Sequence, residues 1–109
     1  MEHRCMAAAM AVLGDKWNPF IIQSLESGSR RFCEIQHTPA GTINPRTLSD
    51  RLQRLEDLQI ITKEVVSHMP PHTRYALTQR GRELLPILEE MVQWSERHGS
   101  AAVQDVSTV

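Results

Sequence analysis

Two runs rich in β-branched residues, Ile60 to Ser67 and Thr73 to Leu77, enclose the segment His68-Met-Pro-Pro-His72. Branching at Cβ favours pleated backbone, and two consecutive prolines continue neither a helix nor a ladder. The two runs are therefore expected to fold back on each other as a hairpin with the prolines at its tip. The chain has 109 residues, enough for one core, so that hairpin has to pack on whatever surrounds it. With 40% hydrophobic and 23% charged residues the composition is that of an ordinary globular domain, too apolar for a disordered chain.

What surrounds the hairpin is helical in period. Met6 to Leu13 is an Ala/Met-rich segment stopped by Gly14. In DKWNPFIIQSLESG, Asp15 or Asn18 is placed to cap a second helix and Pro19 suits its opening turn. Trp17, Ile21 and Leu25 fall on one stripe, and Gly28 ends it. Ser29 is positioned to cap a short third helix carrying Phe32 and Ile35, and Thr38 to Thr42 forms a turn. Asn44 as N-cap with Pro45 at the first helical position opens a fourth helix running to about Leu58. After the hairpin, Thr78 caps a last helix. Its apolar band, Leu84, Leu85, Ile87, Leu88, Met91, Val92 and Trp94, is wider than one core-facing stripe requires.

Three short helical segments, an amphipathic helix, a hairpin and a final helix follow the order of a winged helix-turn-helix. The expected fold is mainly α (α+β): a two-stranded β-hairpin wing and terminal dimerisation helices around one domain over residues 1–98, followed by a fraying tail over 99–109.

The stretch NPRTLSDRL carries the functional signal. At 100° per residue Leu48, Leu52 and Leu55 form a narrow stripe; Arg46, Asp50, Gln53, Arg54 and Asp57 lie opposite, and Thr47, Ser49 and Arg51 flank. A solvated face explains most such helices taken alone. The short helix and turn before it and the hairpin after it change the balance, because that combination places a helix in a major groove with its first turn against base edges. Arginine offers a planar fork for guanine or phosphate, and hydroxyls bond either. Charge is distributed accordingly. The net charge is −1, yet between Ser29 and Arg82 nine basic residues face five acidic ones, and from Glu83 onward five acids face one arginine. A polyanion responds to the local field over about a Debye length, so the basic middle is what it meets. A winged helix used for protein–protein contact, without specific DNA binding, stays open as the alternative.

Other classes are disfavoured. The apolar run Met6 to Leu13 is far shorter than the roughly 20 residues of a membrane span, and no small-residue cleavage site follows a basic flank and apolar core. A cytoplasmic location is expected. Cys5 and Cys33 show neither disulfide-scaffold nor zinc-ribbon spacing; Cys33 is expected to be a small buried side chain. His68 and His72 bracket the wing tip and can face each other across it, but two histidines without a third ligand make a weak metal site. The chain lacks a nucleophile motif, a phosphate loop and an acid–base carboxylate pair. No catalysis, metal or cofactor is expected.

Motifs over nearly the whole chain carry a family resemblance. Gly14-Asp-Lys-Trp17, Pro19-Phe-Ile-Ile22, Arg31-Phe-Cys-Glu-Ile35, the Asn44 to Leu55 segment, and Pro70-Pro71-x-x-x-Tyr75-x-Leu77-Thr78-x-x-Gly81 closely resemble the HxlR-type winged helix-turn-helix transcription regulators. The resemblance implies a homodimer on pseudo-palindromic operator DNA, probing it with the fourth helix and the wing and dimerising through outer helices. Arg46, Thr47, Ser49 and Arg51 match the recognition-helix pattern, with Arg54 one turn further along the same polar face. Arg31 matches a backbone contact, and His72 and Arg74 lie in the wing. Ile87, Met91 and Trp94 are placed for the dimer interface. Cys5 stands where relatives carry a cysteine that in some senses oxidants or electrophiles; Arg4 and a helix N-terminus beside it favour the thiolate. An oxidant or small-molecule effector is thus part of the expectation.

Overall fold

The computed structural model describes residues 4–99. Helices α1 (Arg4–Leu13) and α2 (Asn18–Ser24) lead into strand β1 (Arg30–Arg31), helix α3 (Phe32–Gln36) and strands β2 (His37–Thr38) and β3 (Gly41–Thr42). Helix α4 (Pro45–Asp57), the hairpin β4 (Ile61–His68) and β5 (Pro71–Leu77), and helices α5 (Gln79–Arg82) and α6 (Leu85–Arg97) follow.

One core joins them. Ile21 and Ile22 of α2 and Leu25 just after it meet Ile35 of α3, Ile43 before α4, Leu48, Leu52 and Leu55 of α4, Ile60 and Ile61 at the foot of the wing, Leu88 of α6 and Val12 of α1. Each of these aliphatic side chains contributes about 1.5–3 kcal/mol on leaving water, so the three leucines alone fix which face of α4 turns inward.

The junction of α4 with the wing is set by backbone chemistry. Gln59 adopts φ 63°, and the N–H groups of Gln59 and Ile60 return to the carbonyls of Glu56 and Leu55 at 2.9 Å each. This is a Schellman ending: it satisfies the last carbonyls of α4 and reverses the chain. Ile60 and Leu55, both buried, supply the apolar contact that accompanies it. The wing therefore leaves α4 at a fixed angle.

β4 and β5 pair antiparallel from Ile61 opposite Leu77 to His68 opposite Pro71, with an irregularity between Val65 and Ser67. That irregularity places Ser67 opposite His72 and Pro71 opposite His68, so the two histidines do not face each other as expected. β1 adds a third strand beside β5, Arg30 opposite Tyr75 and Arg31 opposite Arg74. The wing is thus one side of a three-stranded sheet.

Two further local expectations are corrected and one is refined. The turn at Thr38 to Thr42 is a small ribbon in which β2 pairs with β3 and Thr38 Oγ1 donates to the Gly41 carbonyl at 2.7 Å. Ser29 does not cap α3; Arg31 occupies the N-cap position. The last helix is two helices. Thr78 Oγ1 accepts from the Gly81 N–H at 3.0 Å and so caps only α5. Pro86, lacking an N–H and crowding the preceding turn, falls in the first turn of a new helix, α6. Residues 100–109, where most of the fraying tail was expected, lie outside the described residues.

Candidate nucleic-acid interface

The Asn44 side chain accepts from the Arg46 N–H at 2.9 Å, and Pro45 occupies a position whose N–H would have no partner. The start of α4 is thereby rigid. With Leu48 and Leu55 wholly buried and Leu52 almost so, the opposite side presents Arg46, Ser49, Asp50, Gln53, Arg54 and Asp57 to solvent. Gln53 Nε2 donates to Asp57 Oδ1 one turn on, at 3.0 Å. Arg46 and Arg54 stand on the same polar face of the helix. Thr47 is half-buried on the flank.

Arg51 is placed differently. Its Nε donates to Asp15 Oδ2 at 2.6 Å, an ion pair between α4 and the α1–α2 link with side chains 35% and 24% exposed. The sequence pointed to Asp15 only as a cap. The two residues are 36 apart, and no local pattern announces the pair.

Around the wing the expected residues divide. Arg31 is exposed at the start of α3, and its N–H donates to Glu34 Oε1 at 2.8 Å. That hydrogen bond, aided by Arg74, Arg30 and Arg31 and opposed by desolvation, holds the Glu34 carboxyl below its usual 4.5. Arg74 turns inward: Nε donates to Ser29 Oγ and Nη2 to the Ser29 carbonyl, both at 2.9 Å. It clasps β5 to the segment before β1. The Nε2 atom of His72 is buried without a hydrogen-bond partner. As wing residues both were expected to meet phosphate or a minor groove; instead Arg74 engages Ser29 with two of its nitrogens, and one ring nitrogen of His72 is buried. Lys63, exposed on the edge strand β4, is the basic wing residue left open to solvent; a lone strand lysine carries no sequence signal of its own.

A second surface is apolar. Met6 and Met10 of α1 are 64% and 54% exposed, and Ile87, Met91 and Trp94 of α6 are 47%, 48% and 54% exposed. Leu88 is buried and Leu84 and Leu85 are half-buried, so α6 packs inward with one face and leaves the other uncovered. Met91, aligned with Leu84 and Leu88 by periodicity, belongs to the uncovered face. The Cys5 side chain lies outside the described residues. Cys33 is exposed, not buried: in five-residue α3 the core takes Ile35 and part of Phe32, and Cys33 lies off that face. Among the described residues no His, Cys, Asp or Glu group of three could hold a metal ion, and no helix is long and apolar enough to cross a membrane.

A capped helix with an open arginine face, preceded by a short helix and followed by a β-hairpin, defines a DNA-binding winged helix-turn-helix protein. Residues 12–103 match the HxlR-like helix-turn-helix family, and the chain belongs to it. YodB of Bacillus subtilis, an HTH-type transcriptional regulator, is 35% identical over 92 residues, covering 84% of this chain and 81% of YodB. An HTH-type transcriptional regulator of Methanothermobacter thermautotrophicus is 33% identical over 100 residues, 91% of this chain and 76% of that one. Among solved structures, the reduced redox regulator HypR superposes with a TM-score of 0.80 at 30% identity, over 92% of this chain and 97% of HypR. YodB has been solved reduced and quinone-bound, with TM-scores of 0.74 and 0.73 at 34% and 33% identity. Each covers 86% of this chain, and 91% and 97% of YodB respectively. The protein is a DNA-binding transcriptional regulator of this family.

Proposed function

We propose that two copies of the chain pair through the uncovered faces of α1 and α6 and bind a pseudo-palindromic operator, repressing transcription in the cytoplasm by occupying promoter DNA. One observation carries the reading: α4 buries three leucines and holds Arg46, Ser49 and Arg54 open on the far side. Such a helix is a probe, and two probes related by a twofold axis match half-sites about 34 Å apart, or further apart on bent DNA. Ile87, Met91 and Trp94, with Met6 and Met10, supply the apolar area that a dimer would bury.

Arg46, with Thr47 and Ser49, reads base edges; Arg31 and Arg54 hold the backbone. The same reading gives the dimer a chemical switch. YodB and HypR have been crystallised in forms named for oxidation state or bound quinone, and in this chain Cys5 on α1 is the thiol assigned to meet an oxidant or electrophile. Modification there would disturb the pairing helices and release DNA. No catalytic step is involved.

Footprinting on the DNA flanking its own gene, combined with sedimentation, tests the proposal. A dimer protecting a two-part site, with affinity falling steeply between low and moderate salt, is the expected result. Met91→Glu with Trp94→Glu is expected to give a monomer that loses the footprint. A salt-independent affinity would instead favour a protein partner, and a wild-type monomer would end the dimer reading. Cys5→Ser is expected to retain reduced-state binding and lose its response to diamide or quinone, with Cys33→Ser responding normally.

A further inference from the structure

Asp15 is held on three sides. Its Oδ1 accepts from the backbone N–H groups of Trp17 and Asn18 at 2.8 and 3.2 Å, which caps α2 where the Trp17 side chain offers no acceptor. Asn18, 2% exposed, donates from Nδ2 to the Val12 carbonyl at 2.8 Å and ties the same turn to the end of α1. Gly14, just before it, lies where a Cβ would come within 2.6 Å of the Met10 carbonyl oxygen. The carboxylate is therefore fixed relative to the core before it meets Arg51 Nε with its second oxygen.

A guanidinium carries its five N–H groups around a planar fork. Asp15 takes the Nε edge, and among the described residues Nη1 and Nη2 make no hydrogen bond. The edge formed by those two nitrogens matches a pair of phosphate oxygens. Arg51 stands on the flank of α4, beside its outward row, which suits the backbone bordering a groove better than the bases within it. We propose that Asp15 is a positioning residue for DNA binding. It pre-orders Arg51 so that the free edge of the fork grips a backbone phosphate beside the recognition helix.

The inference rests on the DNA-binding reading of α4 and adds a residue to it. A partly exposed ion pair adds little to stability, whereas ordering a long side chain in advance removes an entropic cost from association. Arg51, taken from the helix pattern as one of several recognition residues, thereby becomes a backbone contact, and its affinity contribution depends on a residue in another element.

The test is a double-mutant cycle on a random-sequence duplex, since a phosphate contact needs no operator. Wild type, Asp15→Asn, Arg51→Gln and the double variant are titrated by fluorescence anisotropy at a temperature where circular dichroism shows all four folded. The Asp15→Asn change keeps an oxygen for the α2 N–H groups and removes the charge. Losing an acid near DNA strengthens both proteins that carry Asp15→Asn by a shared factor, which the cycle cancels. Arg51→Gln is expected to weaken binding about tenfold with Asp15 present and about threefold or less in the Asp15→Asn background. With Asp15 present it is also expected to lower the salt slope by about one per subunit. A loss equal in both backgrounds would reduce Asp15 to a structural role, and a larger loss in the Asp15→Asn background would mean that Asp15 withholds Arg51 from DNA; either overturns the proposal. Failure of the wild type to bind any duplex would overturn the DNA reading itself, so the two failures are distinct.

Discussion

Gly81 of α5 rests against the Ile60 carbonyl so closely that a Cβ at that position would lie 2.3 Å from the oxygen and 3.2 Å from Ile60 Cγ2. The contact is one of several that lock the foot of the wing to the helix after it. The Thr78 N–H donates to the same carbonyl at 3.0 Å, and Thr78 Oγ1 reaches the Gln59 carbonyl at 2.7 Å. The nearest atom is a backbone oxygen, which cannot swing aside as the Leu77 side chain 3.0 Å away can. Gly81→Ala is expected to destabilise the fold by about 1–3 kcal/mol, read as a lowered thermal midpoint; an unchanged midpoint would show that α5 can shift at no cost.

Gln59 presents the opposite case. At φ 63° it is in left-handed backbone that costs a side chain about 1–2 kcal/mol and a glycine almost nothing. Its side chain is exposed and, among the described residues, makes one hydrogen bond, accepting from Arg80 Nη1 at 3.5 Å. Gln59→Gly is expected to stabilise by about 0.5–1 kcal/mol after the larger chain entropy of glycine is subtracted. Urea denaturation checks it, and a lowered midpoint would contradict the strain argument.

Glu34 makes stability depend on acid in a defined direction. Its carboxylate accepts the Arg31 N–H, which lowers its folded pKa from 4.5, so the folded state prefers the ionised form. The corresponding stabilisation is complete above pH 4.5 and is lost as pH falls through the lower folded value. Wild type and Glu34→Gln are expected to differ in urea midpoint at neutral pH and to converge in acid. A difference that grows on acidification would reverse the sign.

Local chemistry was legible in the sequence and tertiary pairing was not. Asn44-Pro45, the leucine stripe of α4 and the prolines of the wing each act within a few residues of themselves, and they placed the recognition helix and hairpin to within one or two residues. Pro86 is equally local, yet the apolar band running across it from Leu84 to Trp94 concealed the break between α5 and α6. β1 spans two residues, too few to show alternation, and exists only because β5 offers it an edge. The inward turn of Arg74 to Ser29 and of Arg51 to Asp15 depends on partners 45 and 36 residues away. An arginine on an amphipathic helix or a strand looks the same in sequence whether or not such a partner exists. Cys33 departs from expectation for a related reason: a helix of five residues is too short for its period to say which side is inside.

Arg46 and Arg31 divide specificity from affinity. Arg46 projects from the first turn of α4, where the Asn44 cap and Pro45 remove backbone freedom, so a bidentate bond to a base would be made from a fixed platform. Arg31 is exposed in β1, at the N-cap of α3 and opposite Arg74 of the wing strand β5 rather than on α4. Arg46→Ala is therefore expected to cost about 1–3 kcal/mol on the operator and much less on random duplex, relaxing preference at one base pair of each half-site. Arg31→Ala should weaken both duplexes by a similar factor and lower the salt slope by about one per subunit. Competition titrations of the two variants against both duplexes separate these outcomes. If Arg46→Ala loses equally on operator and random DNA, base reading must belong to other residues of α4, with Ser49 and the half-buried Thr47 next in line.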